Sequence, residues 1–351
     1  MGFAKFNKKG EISTTFLITV VILVVSAFVL FTFLKGSVIS SDVADKSVCH
    51  QSIVYRSTSL GPLKGSQAIP LRCKTQKICL TMSGDDCFEL SSTKKNPVSK
   101  KRLSECKGEK CINVKEEIME VLADSMISCH SMLGEGKLNF MSSDYLKVAP
   151  TVYGLICNRI AFDREAKKNI DSIGHGEFYS YLGKKTVFDE DSQSLVSALE
   201  YLYPGWKNSK DSVHLFKSFQ EGEEVEEANE GDKGKIEGIN FKEWSMNLNQ
   251  DGGFAVIAME APSGQGKALL MGAGTAGAVV AVSVASVVFL PVGIIVGATI
   301  LAIGGVGGTV AGGAVLWYNY NGKFDYAPPT IIPFDIKVLK SLGVSSFEIA
   351  P

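Results

Sequence analysis

ALLMGAGTAGAVVAVSVASVVFLPVGIIVGATILAIGGVGGTVAGGAVLWY, residues Ala268 to Tyr318, holds no charged side chain, and the nearest charges on either side are Lys267 and Lys323. A helix needs about 20 apolar residues, at about 1.5 Å of rise each, to cross about 30 Å of hydrocarbon. The block is too long for one such helix and suits two. Phe289-Leu290-Pro291-Val292-Gly293 supplies a break near its middle, because proline lacks a backbone donor and restricts the residue before it. The stretch 268–318 is therefore expected to form a transmembrane helical hairpin. Small residues recur at every fourth position, at Ala273, Gly277, Ala281 and Ala285 in the first arm and at Gly304, Gly308 and Gly312 in the second. Such ridges let membrane helices approach closely where no hydrophobic drive operates. A turn centred between Val292 and Gly293 sets Ala273 level with Gly312, Gly277 with Gly308, and Ala281 with Gly304. The alternative, a glycine-rich core of a soluble domain, is disfavoured because each helical glycine costs about 1 kcal/mol in water.

A second charge-free run, Phe16 to Leu34, is long enough to span once and follows Lys5, Lys8 and Lys9. By the positive-inside tendency these lysines hold the amino end in the cytoplasm. The expected layout is a cytoplasmic tail (1–15), a transmembrane helix (16–34), a cysteine-rich β-containing segment (35–112), an external α+β domain (113–267), the hairpin (268–318), and an external tail completing that domain (319–351). A cleaved secretory signal is the competing reading of 16–34. The apolar run exceeds a usual signal core, and Ser37-Val38-Ile39-Ser40 is a poor cleavage site, which favours an uncleaved anchor.

Lys8-Lys9-Gly10-Glu11-Ile12-Ser13, followed at once by the long apolar run, resembles the class III (type IV pilin-like) signal of archaeal pilins and related surface membrane proteins. The resemblance covers about the first tenth of the chain. It implies a peptidase cut between Gly10 and Glu11 that leaves the apolar helix on the mature protein. Thr15 stands where bacterial pilins carry glutamate. A subunit held by three spans could not easily leave the bilayer for a filament, so the resemblance bears on the export route more than on a pilin role.

All eight cysteines, Cys49, Cys73, Cys79, Cys87, Cys106, Cys111, Cys129 and Cys157, fall in the external region. An even set confined to one side of a membrane reads as disulfides. Cys106 to Cys111, and Cys73 to Cys79 or Cys87, are candidate local loops. Zinc is the rival, since Cys49-His50 and Cys129-His130 place histidine beside cysteine, yet no CxxC or His-x3-5-His spacing accompanies them.

The short apolar stretches Gln51–Tyr55, Ile78–Met82 and Cys87–Leu90 are expected as small strands. Val114, Ile118, Val121, Leu122, Met126 and Met132 recur at helical spacing, ended by Gly134-Glu135-Gly136. Val152–Phe162 is expected as a strand, making Cys129 and Cys157 candidates for a bridge between helix and strand. Helical stretches follow near Glu177–Leu182 and Ser192–Leu202, and Glu221–Lys235 reads as a mobile surface loop. Strands Phe254–Met259 and Ile331–Ile336 bracket the hairpin, with a short helix from Lys337 to Leu342. Since both hairpin ends emerge on one side, the two strands can be neighbours in one sheet.

Chemical motifs are sparse. Gly264-Gln265-Gly266-Lys267 fails as a phosphate loop, because Ala261 replaces the first glycine and Ala268 the magnesium-binding hydroxyl. Among the four histidines, His175 between two glycines could serve as an acid or base, but without an identifiable partner it reads as a solvent-exposed loop residue. Asp189-Glu190-Asp191 and Asp85-Asp86 read as solvated turns with at most weak calcium affinity. Lys94-Lys95 and Lys100-Lys101-Arg102 form a basic patch, but a net charge of −1 argues against nucleic-acid binding. No catalytic residue, metal site or cofactor is expected. The expected partners are the lipid bilayer and a surface protein or a further copy of the chain. Three functional readings follow, of which the first two are a membrane-anchored surface or envelope protein with a binding or assembly ectodomain, and a membrane-active protein that oligomerises, forms pores or fuses bilayers through the glycine-rich hairpin. An external hydrolase, with His175 or His214 meeting a carboxylate, is a third.

Overall fold

A computed structural model describes residues 18–28, 41–57, 71–93, 96–108, 111–140, 152–204, 245–249, 252–262, 279–282, 288–289, 295–304, 310–320, 324–335 and 344–348. The chain divides into two units, Met1–Asp45 and Lys46–Pro351. In the first, residues 18–28 form helix α1, which is exposed along its whole described length. Helix α2 (Ser41–Ser57) starts at the end of that unit and carries Cys49 and Ile53 into the core of the second.

The second unit is built on a ten-stranded mixed sheet. Its middle comprises β1 (Gln76–Thr81), β2 (Val98–Arg102), β3 (Val152–Phe162), β8 (Phe254–Pro262) and β13 (Phe324–Pro333), in the order β13-β8-β3-β1-β2. β8 lies between β13 and β3 and is antiparallel to both, whereas β1 joins β3, and β2 joins β1, in parallel. β14 (Val344–Glu348) pairs in parallel with the start of β3, end to end with β1. Helix α3 (Ile112–Met132) lies across β13, β8 and β3. Val114, Ile118, Leu122 and Met126 on α3 pack with Leu155, Phe162, Phe254 and Val256 from the strands. The two-residue period of β1 splits its side chains, so that Leu80 enters this core while Cys79 joins Cys87, Leu90 and Ala161 in a smaller cluster.

The remaining elements lie between β3 and β8 in the chain and form no part of the main sheet. They are α4 (Arg164–Asn169), β4 (Ser172–Gly174), α5 (His175–Lys184), β5 (Thr186–Asp189), β6 (Ser194–Ser197), α6 (Ala198–Leu202) and β7 (Ser245–Asn247). β5 and β6 form a separate hairpin, and β4 pairs with β7.

The strands expected to flank the charge-free block are neighbours, with Val256 opposite Ile331. β13 starts earlier than expected, before Pro328-Pro329, and its register shifts between Ala327 and Thr330. Prolines that cannot donate to a ladder are accommodated at such an irregularity. The block itself departs from the expected helical hairpin. Its described residues are strands: β9 (Val279–Val282), β10 (Val288–Phe289), β11 (Ile295–Gly304) and β12 (Val310–Tyr320). β12 continues the main sheet through Tyr318–Tyr320 against β13. The expected register is replaced accordingly: Ala281 stands opposite Leu301, Gly304 opposite Val310, and Gly312 opposite Ala302. Ala273, Gly277 and Gly308 fall outside the described residues. The physical reason lies in composition, since β-branched residues interleaved with glycine disfavour a helix and fit a strand. Among the described residues, no helix is long and apolar enough to cross a membrane.

Smaller corrections concern the cysteine-rich segment. Gln51–Tyr55 belongs to α2, because Cys49 and Ile53 fall at helical spacing on its buried side. Cys87–Leu90 is a turn closed by Leu90 N donating to Cys87 O at 3.1 Å. Within Ser192–Leu202 a strand, β6, precedes the helical turn. Glu221–Lys235 and Lys337–Leu342 lie outside the described residues.

Candidate functional site

All eight cysteines are bridged, as Cys49–Cys73, Cys79–Cys87, Cys106–Cys111 and Cys129–Cys157, with Cα separations of 4.3, 5.7, 4.7 and 5.7 Å. The Cys106–Cys111 loop and the helix-to-strand bridge match expectation. A Cys73 loop to Cys79 or Cys87 does not, because Cys73 lies beside α2 in the main core while Cys79 points into the smaller cluster with Cys87. The two histidines beside cysteines turn to other partners: His50 Nδ1 meets Met132 O at 3.0 Å, and His130 Nδ1 meets the Tyr326 hydroxyl at 3.1 Å.

A cavity of about 270 Å³ opens at the carboxyl end of α3, lined by His130, Glu135, Lys137, Asp189, Asp191 and Tyr201 among others. The turn that ends α3 makes it. Gly134, Glu135 and Gly136 have φ values of 69°, 57° and 72°. Glycine is needed at 136 for a second reason, since a Cβ there would sit 2.3 Å from the Tyr326 ring. This reversal brings Glu135 and Lys137 back toward the β5–β6 hairpin. Lys137 Nζ donates to Glu135 Oε2 at 2.7 Å and forms a short ion pair with Asp191. The Tyr201 hydroxyl donates to the other Glu135 oxygen at 2.9 Å. Asp189 accepts from the Ser192 hydroxyl at 2.7 Å and from Asp191 N at 3.0 Å.

The electrostatics follow from these contacts. Burial alone would lower the Lys137 pKa, but hydrogen bonds to Asp191 and Glu135 hold it above the ordinary lysine value. Burial, assisted by the Lys137 charge, pushes His130 down to about 3 and keeps it neutral at physiological pH. Burial and the bond to Glu135 raise the Tyr201 phenol. These shifts move His130, Lys137 and Tyr201 away from neutrality, so none of the three is poised to exchange a proton there. Oxygen atoms of Glu135, Asp189 and Asp191 lie within 4.8 Å of one another, and Glu135 and Asp191 share the Lys137 ammonium.

The Asp189-Glu190-Asp191 turn was legible as a turn, but its link to Glu135 and Lys137 was not, because the partners lie 54 residues apart. His130, Tyr201 and Lys137 carry no local motif. The expectation of an exposed loop for His175 is corrected: it is the first residue of α5, 4 % exposed, and burial lowers it to about 4. His214, Gly264–Lys267, Gly10 and Glu11 lie outside the described residues. No protein family, curated protein or solved structure matches the chain.

Proposed function

We propose that the chain is a membrane-anchored surface or envelope protein, with its amino terminus in the cytoplasm and its disulfide-bridged α+β region and carboxyl terminus outside, where it binds a partner protein or assembles with further copies. The observation that carries this is α1. Ile18, Val20, Val21, Ile22, Leu23, Val24, Val25 and Phe28 are all exposed, on every side of the helix. An apolar helix exposed all round needs lipid or protein around it. Within the longer charge-free run Phe16–Leu34, lipid is the economical solution. Four disulfides add support, because they persist in oxidising compartments and are rare in reducing ones. On this reading a peptidase of the class III type cuts between Gly10 and Glu11.

The test combines thiol labelling and protease protection on intact cells. External protease should degrade the region from Cys49 to Cys157, and no thiol should label without a reductant. Free thiols that label only after lysis, together with protection from protease, would overturn the proposal.

A second reading, a membrane-active protein, is favoured by β11 and β12. These adjacent antiparallel strands cover 10 and 11 residues, in a block without charge. About 9–11 tilted residues cross a bilayer as a β-strand. Joint replacement of Gly304, Gly308 and Gly312 by leucine should then impair insertion and assembly. Vesicle leakage and cross-linked ladders equal to those of the unmodified chain would eliminate this reading.

A further inference from the structure

The β5–β6 hairpin is fastened at its base and its tip by different means. At the base, Ala198 N donates to Lys185 O at 2.7 Å, and Val187 packs against the core. Beyond the base the hairpin is exposed: Phe188 and Leu195 face each other across its two strands with 54 % and 71 % of their surfaces in solvent. Its strands pair only with each other, outside the main sheet. The tip contacts the end of α3 through Lys137, whose ammonium joins Asp191 of the hairpin to Glu135 of the turn. The charged and titratable groups around that ammonium are Glu135 and His130 from α3 and its turn, Asp189 and Asp191 from the hairpin, and Glu200 and Tyr201 from α6.

We propose that Lys137 is an ionic latch that holds the β5–β6 hairpin closed over the cavity, and that releasing it lets residues 186–197 swing about their base and expose His130 and Tyr201. The physical case rests on the asymmetry of attachment. The base is held by a backbone hydrogen bond and apolar packing, which resist salt. The tip is held by a half-exposed ammonium shared between two carboxylates, which salt screens. Glu135 is itself anchored by Tyr201, so the latch pulls on a fixed post. Opening is then local, leaving the β3–β8–β13 sheet and the Cys129–Cys157 bridge in place.

Amide hydrogen exchange on the full-length chain in detergent micelles tests this. Lys137→Gln and Asp191→Asn should each speed exchange in residues 186–197 by about three- to fivefold, the scale of one exposed ion-pair network, and leave β3 and β8 unchanged. Lys137→Arg should retain most of the protection. Raising salt from about 0.05 to about 1 M should speed exchange of the hairpin in the unmodified chain and have little effect on Lys137→Gln. Unchanged exchange in Lys137→Gln, or equal acceleration in β3 and β8, would overturn the latch.

Discussion

Replacing Cys129 and Cys157 together by alanine is expected to destabilise the second unit by about 3–4 kcal/mol, the loop-entropy cost of releasing a crosslink across a few tens of residues. The bridge joins positions separated by 28 residues and ties the last full turn of α3 to the middle of β3. Both cysteines are almost fully buried, so their loss also removes packing at the helix–sheet contact. The matching change at Cys106 and Cys111, separated by only 5 residues, should cost about 2 kcal/mol. That loop precedes α3 and closes at Cys111, which sits in the left-handed region at φ 46° immediately before the helix. Urea unfolding followed by near-ultraviolet circular dichroism would rank the two. If the local loop proved the costlier to open, the view that α3 is held on the sheet by its distal bridge would be wrong.

That bridge was foreseeable for the same reason that much of the sheet was. Val114, Ile118, Leu122 and Met126 repeat at helical spacing, and Val152–Phe162 is largely apolar with β-branched residues, so each element announces itself locally. The pairing of β8 with β13 followed from a topological argument, since an insertion whose two ends share a face leaves its flanks adjacent. The conformation of the insertion was ambiguous for a definite reason. A period of four small residues marks a ridge on a helix, but positions four apart also share one side of a strand, whose period is two. Gly304 and Gly312 satisfy both patterns, and hydropathy separates apolar from polar surroundings without separating helix from strand. The cavity was hidden by distance along the chain. Glu135, Asp191 and Tyr201 meet through Lys137 and the reversal at 134–136, so no short motif contains them. Gly134-Glu135-Gly136 was visible as a helix stop, but the stop does not reveal that Glu135 itself occupies the left-handed region and turns toward Lys137.

Asp163 was equally silent in sequence, and its removal should match or exceed the disulfide in effect. It stands between β3 and α4, is 1 % exposed, and accepts hydrogen bonds on both carboxylate oxygens. One oxygen caps α4 by accepting from Ala166 N at 2.8 Å. The other accepts from Thr81 Oγ1 at 2.5 Å, Ser83 Oγ at 2.8 Å, Met82 N at 2.9 Å and Ser83 N at 3.0 Å. The carboxylate thus joins a helix start to the exit of β1 and shapes the loop that Cys79–Cys87 closes. Burial alone would raise its pKa, but the hydrogen bonds from Thr81, Ala166 and Ser83 hold it below the usual carboxylate value. Asp163→Ala would leave the buried amide of Ala166 and the part-buried amide of Met82 without their acceptor and should cost about 4 kcal/mol, combining a lost cap with lost charge-assisted bonds. Asp163→Asn keeps the shape but turns an NH2 toward donors, and should cost about half as much. The sign of the pH effect is set by the lowered pKa. Asp163 contributes its stability fully above the unfolded aspartate value of about 3.9 and loses it as pH falls through its lower folded value. The unmodified chain should therefore show an acid limb below about pH 4 that is shallower in Asp163→Asn. Urea midpoints measured from pH 7 down to about pH 3 would decide it. An Asp163→Asn protein with the unmodified midpoint at neutral pH and an equally steep acid limb would show that the carboxylate is not what fastens β1 to α4.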